Sequence, residues 1–108
     1  MALGGIDCNG AEVVRVPTRH GLEAVDILRL RGACGPVLHD ADGRALGFLV
    51  PPGTAAAWTY PGSAIGLPPG ASWLVAPVPA APRTTDPGTL RAALDEASTT
   101  LAAADTHP

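Results

Sequence analysis

Lysine is absent from this sequence, and all seven of its basic residues are arginine. Against them stand ten acidic residues, for a net charge of −3. That balance supplies no concentrated positive surface of the kind a phosphate backbone requires, which argues against nucleic acid as a partner. The missing lysine also removes the phosphate-loop pattern, and no Gly-x-Gly-x-x-Gly run replaces it. Cysteine is scarce: Cys8 and Cys34 lack Cys-x-x-Cys spacing, and no histidine–cysteine set has the spacing of a zinc site. No stretch approaches the roughly 18–20 apolar residues needed to cross a membrane. Met1 to Asp7 has neither the positive start nor the apolar core of a signal peptide. Reduced thiols and a cytoplasmic location are therefore expected.

At 108 residues, 46% of them hydrophobic, the chain has the size and the apolar content of one small domain with a genuine core. The abundance of alanine, glycine and proline follows the codon usage of a high-GC bacterial genome. Residues 1–10, small and polar, are expected to form an N-terminal tail, and residues 105–108 a C-terminal one. Residues 11–104 are expected to form the single domain.

Glu12 to Val16 is β-branched and partly alternating, so it reads as a strand ended by Pro17. Thr18 offers an N-cap oxygen to a helix over 19–31, with Leu22, Val25 and Leu28 at helical spacing and Gly32 past its end. Pro36 to Asp40 and Arg44 to Val50 flank an Asp-Gly turn, the strongest hairpin signal in the chain. Thr54 can cap a single helical turn, Ala55 to Trp58. Ser63–Leu67 and Ala71–Ala76 read as short strands. Pro77 to Thr85 reads as an extended connector. Asp86-Pro87 then places an N-cap ahead of a proline in the first helical turn. From there Leu90, Ala93, Leu94, Ala97 and Leu101 make one apolar stripe of a second helix. The order β-α-β-β-(β)-β-α predicts an α+β fold, with a mixed or antiparallel sheet of four to five strands and two helices packed on one face.

No charged residue lies between Arg44 and Arg83, and Phe48, Trp58, Tyr60 and Trp73, all of the chain's aromatics, fall in that interval. Prolines from Pro51 to Pro82 break it into pieces too short for a membrane span. It reads either as the buried centre of the sheet or, at Trp58, Tyr60 and Pro61, as an apolar loop surface that contacts a partner. Trp73, inside a strand, is expected in the core.

Few constellations carry chemistry. His39-Asp40-Ala41-Asp42 places two acids one residue apart, a spacing that can hold a divalent metal between carboxylates. Asp-x-Asp-Gly is also an ordinary turn whose side chains bond local amides. The turn is the reading adopted, and no metal or other cofactor is expected. His20 and His39 are the candidate acid–base groups. Ser63 and Ser72 sit in no Gly-x-Ser-x-Gly elbow.

Ser72-Trp73-Leu74-Val75-Ala76-Pro77-Val78-Pro79 resembles a strand-and-proline segment of bacterial bifunctional primase/polymerase N-terminal domains. Val37 to Asp42 is similar to the apolar-Asp-x-Asp metal motif of that family. The resemblance implies a metal-dependent nucleotidyl-transfer site using Asp40 and Asp42. The family's later catalytic histidine has no counterpart, because the one histidine after Asp42 is His107. What the resemblance implies is a degenerate, non-polymerising relative that binds nucleotide or metal. The chain also resembles small proteins of high-GC Gram-positive bacteria, which implies no activity. The reading favoured is a small non-catalytic interaction or regulatory module. Its partner is another protein or a second copy of the chain, bound through Trp58, Tyr60 and Pro61.

Overall fold

The computed structural model of the protein describes residues 10–105. The remainder of the expected tails, residues 1–9 with Cys8 and 106–108 with His107, lies outside the described residues. The elements run β1 (Glu12–Pro17), α1 (Thr18–Leu30), β2 (Val37–His39), β3 (Ala45–Val50), a 3-10 turn (Thr54–Ala56), β4 (Ala64–Ile65), β5 (Ser72–Val75) and α2 (Pro87–Asp105). The strands form one sheet in the order β4-β1-β3-β2-β5, and every pairing is antiparallel. The α+β class is as expected, and of the two sheet types left open the antiparallel one is adopted.

Both helices lie on one face. Val14 and Val16 of β1, Val37 of β2, and Leu46, Phe48 and Val50 of β3 meet Ala24, Val25 and Leu28 of α1 and Leu90, Ala93 and Leu94 of α2 in one buried cluster. Period-two alternation puts these strand residues on a common side. Each fully buried leucine or phenylalanine here contributes about 1.5–3 kcal/mol.

The start of α1 differs from expectation. Thr18 is already helical and Pro17 occupies the N-cap position, which has no side-chain cap. The Thr18 hydroxyl donates to the Gly43 carbonyl at 2.7 Å, and the Thr18 amide to the Arg44 carbonyl at 3.1 Å. These bonds stitch the helix to the β2–β3 hairpin. The buried face of α1 is also rotated: Leu22, expected inward, is 46% exposed, while Gly21, Ala24, Val25 and Leu28 are buried. The cause is a close approach. A Cβ on Gly21 would lie 2.7 Å from Leu46 Cδ1, so the absence of a side chain there lets α1 sit down on β3.

The opposite face of the sheet carries a smaller cluster of Val13, Leu38 and Leu49, with Leu67, Ala71 and Trp73 against it. No helix covers it. The chain between β4 and β5 folds back over it and fully buries Pro68. A Cβ on Gly47 would meet Val13 Cγ1 at 2.7 Å and the Pro68 ring at 3.1 Å, so the proline packs directly on β3 backbone.

The connector before α2 is tied down rather than free. Thr85 is fully buried, donates its amide to the Leu49 carbonyl at 2.7 Å and accepts from the Gly35 amide through its hydroxyl at 3.0 Å. Asp86 then caps α2 as expected, accepting from the Thr89 amide at 2.9 Å and the Thr89 hydroxyl at 3.1 Å. Those bonds hold its carboxyl below the ordinary range.

Candidate functional site

Two readings made separately from the sequence converge in space. His20 in the first turn of α1 and Tyr60-Pro61 in the loop before β4 line one cleft of about 320 Å³, together with Val16, Pro17, Gly62 and Leu94. Val16 and Pro17 arrive there at the end of β1, and Leu94 from the buried stripe of α2. The walls are apolar except at His20 and the Tyr60 hydroxyl. His20 Nδ1 is buried and has no hydrogen-bond partner among the described residues.

The charge-free loop borrows its polar anchors from α2. The Tyr60 hydroxyl donates to Asp95 Oδ1 at 2.9 Å, and Arg91 donates to the Thr59 carbonyl at 2.8 Å with its guanidinium 5.6 Å from the Tyr60 ring centre. Burial and then the Asp95 bond push the Tyr60 hydroxyl pKa up, with Arg91 acting against them. Trp58, just past the 3-10 turn, lies 6.1 Å centre to centre from Tyr60, and its indole N–H donates to Ser63 Oγ at 3.0 Å. Trp58 and Tyr60 are half-buried and pack against the helix-side core, whereas Pro61 is exposed. Of the three expected contact residues, Pro61 is thus the most open and Tyr60 forms the wall. Trp73 is separate, half-buried on the opposite face.

The acidic pair behaves as a turn. Asp40 is buried and its Oδ1 accepts from the Arg44 amide at 2.6 Å, while its backbone bonds Ala45 and Gly43. Asp42 is exposed. Among the described residues no group of three His, Cys, Asp or Glu side chains comes together in a way that could hold a metal ion. Cys34 is buried, which raises its thiol pKa despite the opposing charge of Arg29. Among the described residues no helix is long and apolar enough to cross a membrane.

His39 has two partners that the sequence did not announce. Its Nδ1 lies 3.0 Å from the Asp40 carbonyl oxygen and its Nε2 lies 3.4 Å from the Ser72 hydroxyl. Leu94 of the cleft, and Arg91 and Asp95 that anchor its loop wall, were likewise invisible as site residues, since nothing in the spacing of α2 says which loop it meets. The Ser72–His39 pair depends on the register of β2 against β5, which spacing alone does not provide.

Comparison with family models, curated proteins and solved structures finds no match for this chain.

Proposed function

We propose that the protein is a small interaction module that seats a bulky apolar side chain of a protein partner in the cleft beside Tyr60 and Pro61. The observation that carries this reading is the construction of the cleft. Its walls are apolar, its volume of about 320 Å³ is at the small end of ligand sites, and its loop wall is held in place by α2 through Tyr60–Asp95 and Arg91–Thr59. A preformed wall loses little conformational freedom on binding, so more of the contact energy appears as affinity. Aromatic walls of this type commonly carry about 2 kcal/mol or more at an interface hot spot. The cleft pairs no nucleophile with a base, so binding is the role it suits. A second copy of the chain is one candidate partner, and sedimentation over a range of concentrations reads it directly.

The test is selection of peptides from a displayed random library, followed by amide chemical-shift mapping. Selected peptides should share a large apolar anchor, shift the amides of Val16, Tyr60, Gly62 and Leu94, and lose binding to Pro61→Glu, which keeps the parent's melting point. Peptides that map elsewhere or bind Pro61→Glu equally well overturn the reading. A selection that yields no binder, with a parent that sediments as a monomer, overturns it too.

A further inference from the structure

At the β5 edge of the sheet a hydroxyl is set against an imidazole by strand register. Antiparallel pairing places Ser72 opposite His39, so the two side chains leave the same face. The Asp40 carbonyl oxygen, 3.0 Å from His39 Nδ1, can only accept, so the proton of the neutral ring sits on Nδ1. Nε2 is then left with its lone pair toward Ser72, whose hydroxyl donates across 3.4 Å. That distance is long for a settled hydrogen bond, and it is of the kind found in nucleophile–base pairs before substrate tightens them. Ser72 is exposed and His39 half-buried, so the oxygen is open to attack an incoming group while the base is held from behind. Nucleophile, base and base-orienting acceptor thus stand in a row, with a backbone carbonyl as the orienter.

We propose that Ser72 is an acyl-accepting nucleophile, with His39 as its general base, acting on small activated esters. Ser72 Oγ attacks the acyl carbonyl carbon while its proton passes to His39 Nε2. The tetrahedral adduct collapses by breaking the ester C–O bond, and the leaving oxygen takes the proton from the imidazolium or departs as an anion while the imidazolium gives its proton to solvent, so His39 Nε2 is free again. The product is an acyl ester of Ser72. Water, deprotonated by the same Nε2, then adds to that ester, releases the carboxylic acid and restores the hydroxyl. The substrate class follows from the surroundings. A carbonyl orienter brings no full negative charge to stabilise the imidazolium, which favours good leaving groups, and an exposed edge strand favours a short acyl chain. None of these residues lines the Tyr60 cleft, so the inference does not rest on that site.

The experiment is brief exposure of the whole protein to p-nitrophenyl acetate, with intact-mass measurement and peptide mapping. Exposed Ser98 on α2 is the internal control. Acetylation of Ser72 should exceed that of Ser98 by roughly a hundredfold, the lower end of what a positioned base supplies. His39→Gln should bring Ser72 down to the level of Ser98 while leaving the melting curve unchanged. Ser72→Cys should restore an acetylated side chain at this position that again depends on His39. Three results overturn the proposal: equal labelling of Ser72 and Ser98, labelling of Ser72 that survives His39→Gln, or nitrophenol release that is undiminished in Ser72→Ala.

Discussion

One sheet presents two faces that are closed in different ways. On the helix face, Phe48, Leu46 and Val50 of β3 are sealed by Leu28 of α1 and Leu90 and Leu94 of α2, and exposure falls to 0–2% across these residues. On the other face, Val13 of β1, Leu38 of β2 and Leu49 of β3 are nearly as well buried, yet the cover is a proline loop and one half-buried tryptophan. A helix brings a regular stripe of side chains to its sheet and can be capped, so its contribution is spread over many residues. A loop brings very few, so the cover of this face is concentrated in Pro68 of the loop and Trp73 of β5. The helix face should therefore hold most of the stability. The loop face should be sensitive at isolated points.

The sharpest test of that difference is the pair Phe48→Ala and Trp73→Ala. Phe48 is fully buried, and its truncation should cost about 3–5 kcal/mol in denaturant unfolding. Trp73 is half-buried, so its truncation should cost about 2 kcal/mol, less than full burial of so large a ring would imply. Equal losses would erase the distinction. Next comes Gly47→Ala, in which the new methyl would meet the Pro68 ring at 3.1 Å and Val13 at 2.7 Å. Overpacking of about 1–3 kcal/mol is expected. A stable Gly47→Ala protein would show that the loop lifts away freely.

Smaller effects belong to the ends of the helical cover. Asp86→Ala should lower the melting temperature, and Asp86→Asn should lower it less, because asparagine keeps a capping oxygen. The carboxyl of Asp86 in the folded state lies below its unfolded value near 3.9, so its contribution is complete at neutral pH and is lost as pH falls through the depressed value. The parent should therefore lose stability on acidification more steeply than Asp86→Asn. The smallest change is expected from Glu96→Gln. Arg31 and Glu96 pair at 2.7 Å across α1 and α2, but both are about half exposed. The hydrogen bond from Arg31 lowers the Glu96 pKa, so this pair too is strongest at neutral pH and weakens in acid. Water and salt screen it, and the melting curves of parent and variant should coincide in high salt.

The fold was legible where the signal is local. Asp86-Pro87 starts α2, the Asp-Gly turn joins β2 to β3, and period-two alternation gives β1 and β3. What is set by contact at a distance was not legible. Leu22 satisfies helical spacing as well as Val25 does, and only the seating of Gly21 on Leu46 decides that it faces water. The uncharged interval reads as either sheet centre or contact surface, and its aromatics take different places. Phe48 is central, whereas Tyr60 belongs to the cleft wall. Tyr60 donates its hydrogen bond to Asp95, thirty-five positions along the chain, and Ser72 meets His39 through strand register. Neither pairing leaves a trace in spacing.

The sheet order also governs the moment at which this chain is able to fold. Of the described strands β1 is synthesised first, but its two neighbours are β3 and β4, which follow α1 and β2 in the chain. Long loops must close before those pairings form, so the rate should be set by topology rather than by the ready formation of α1. On the ribosome, Val13, Val14 and Val16 have no partner on one flank until Leu46 to Val50 has emerged, and none on the other until Ile65 has. Through that interval the nascent chain presents an apolar strand with both edges open, the kind of segment that aggregates and that chaperones hold.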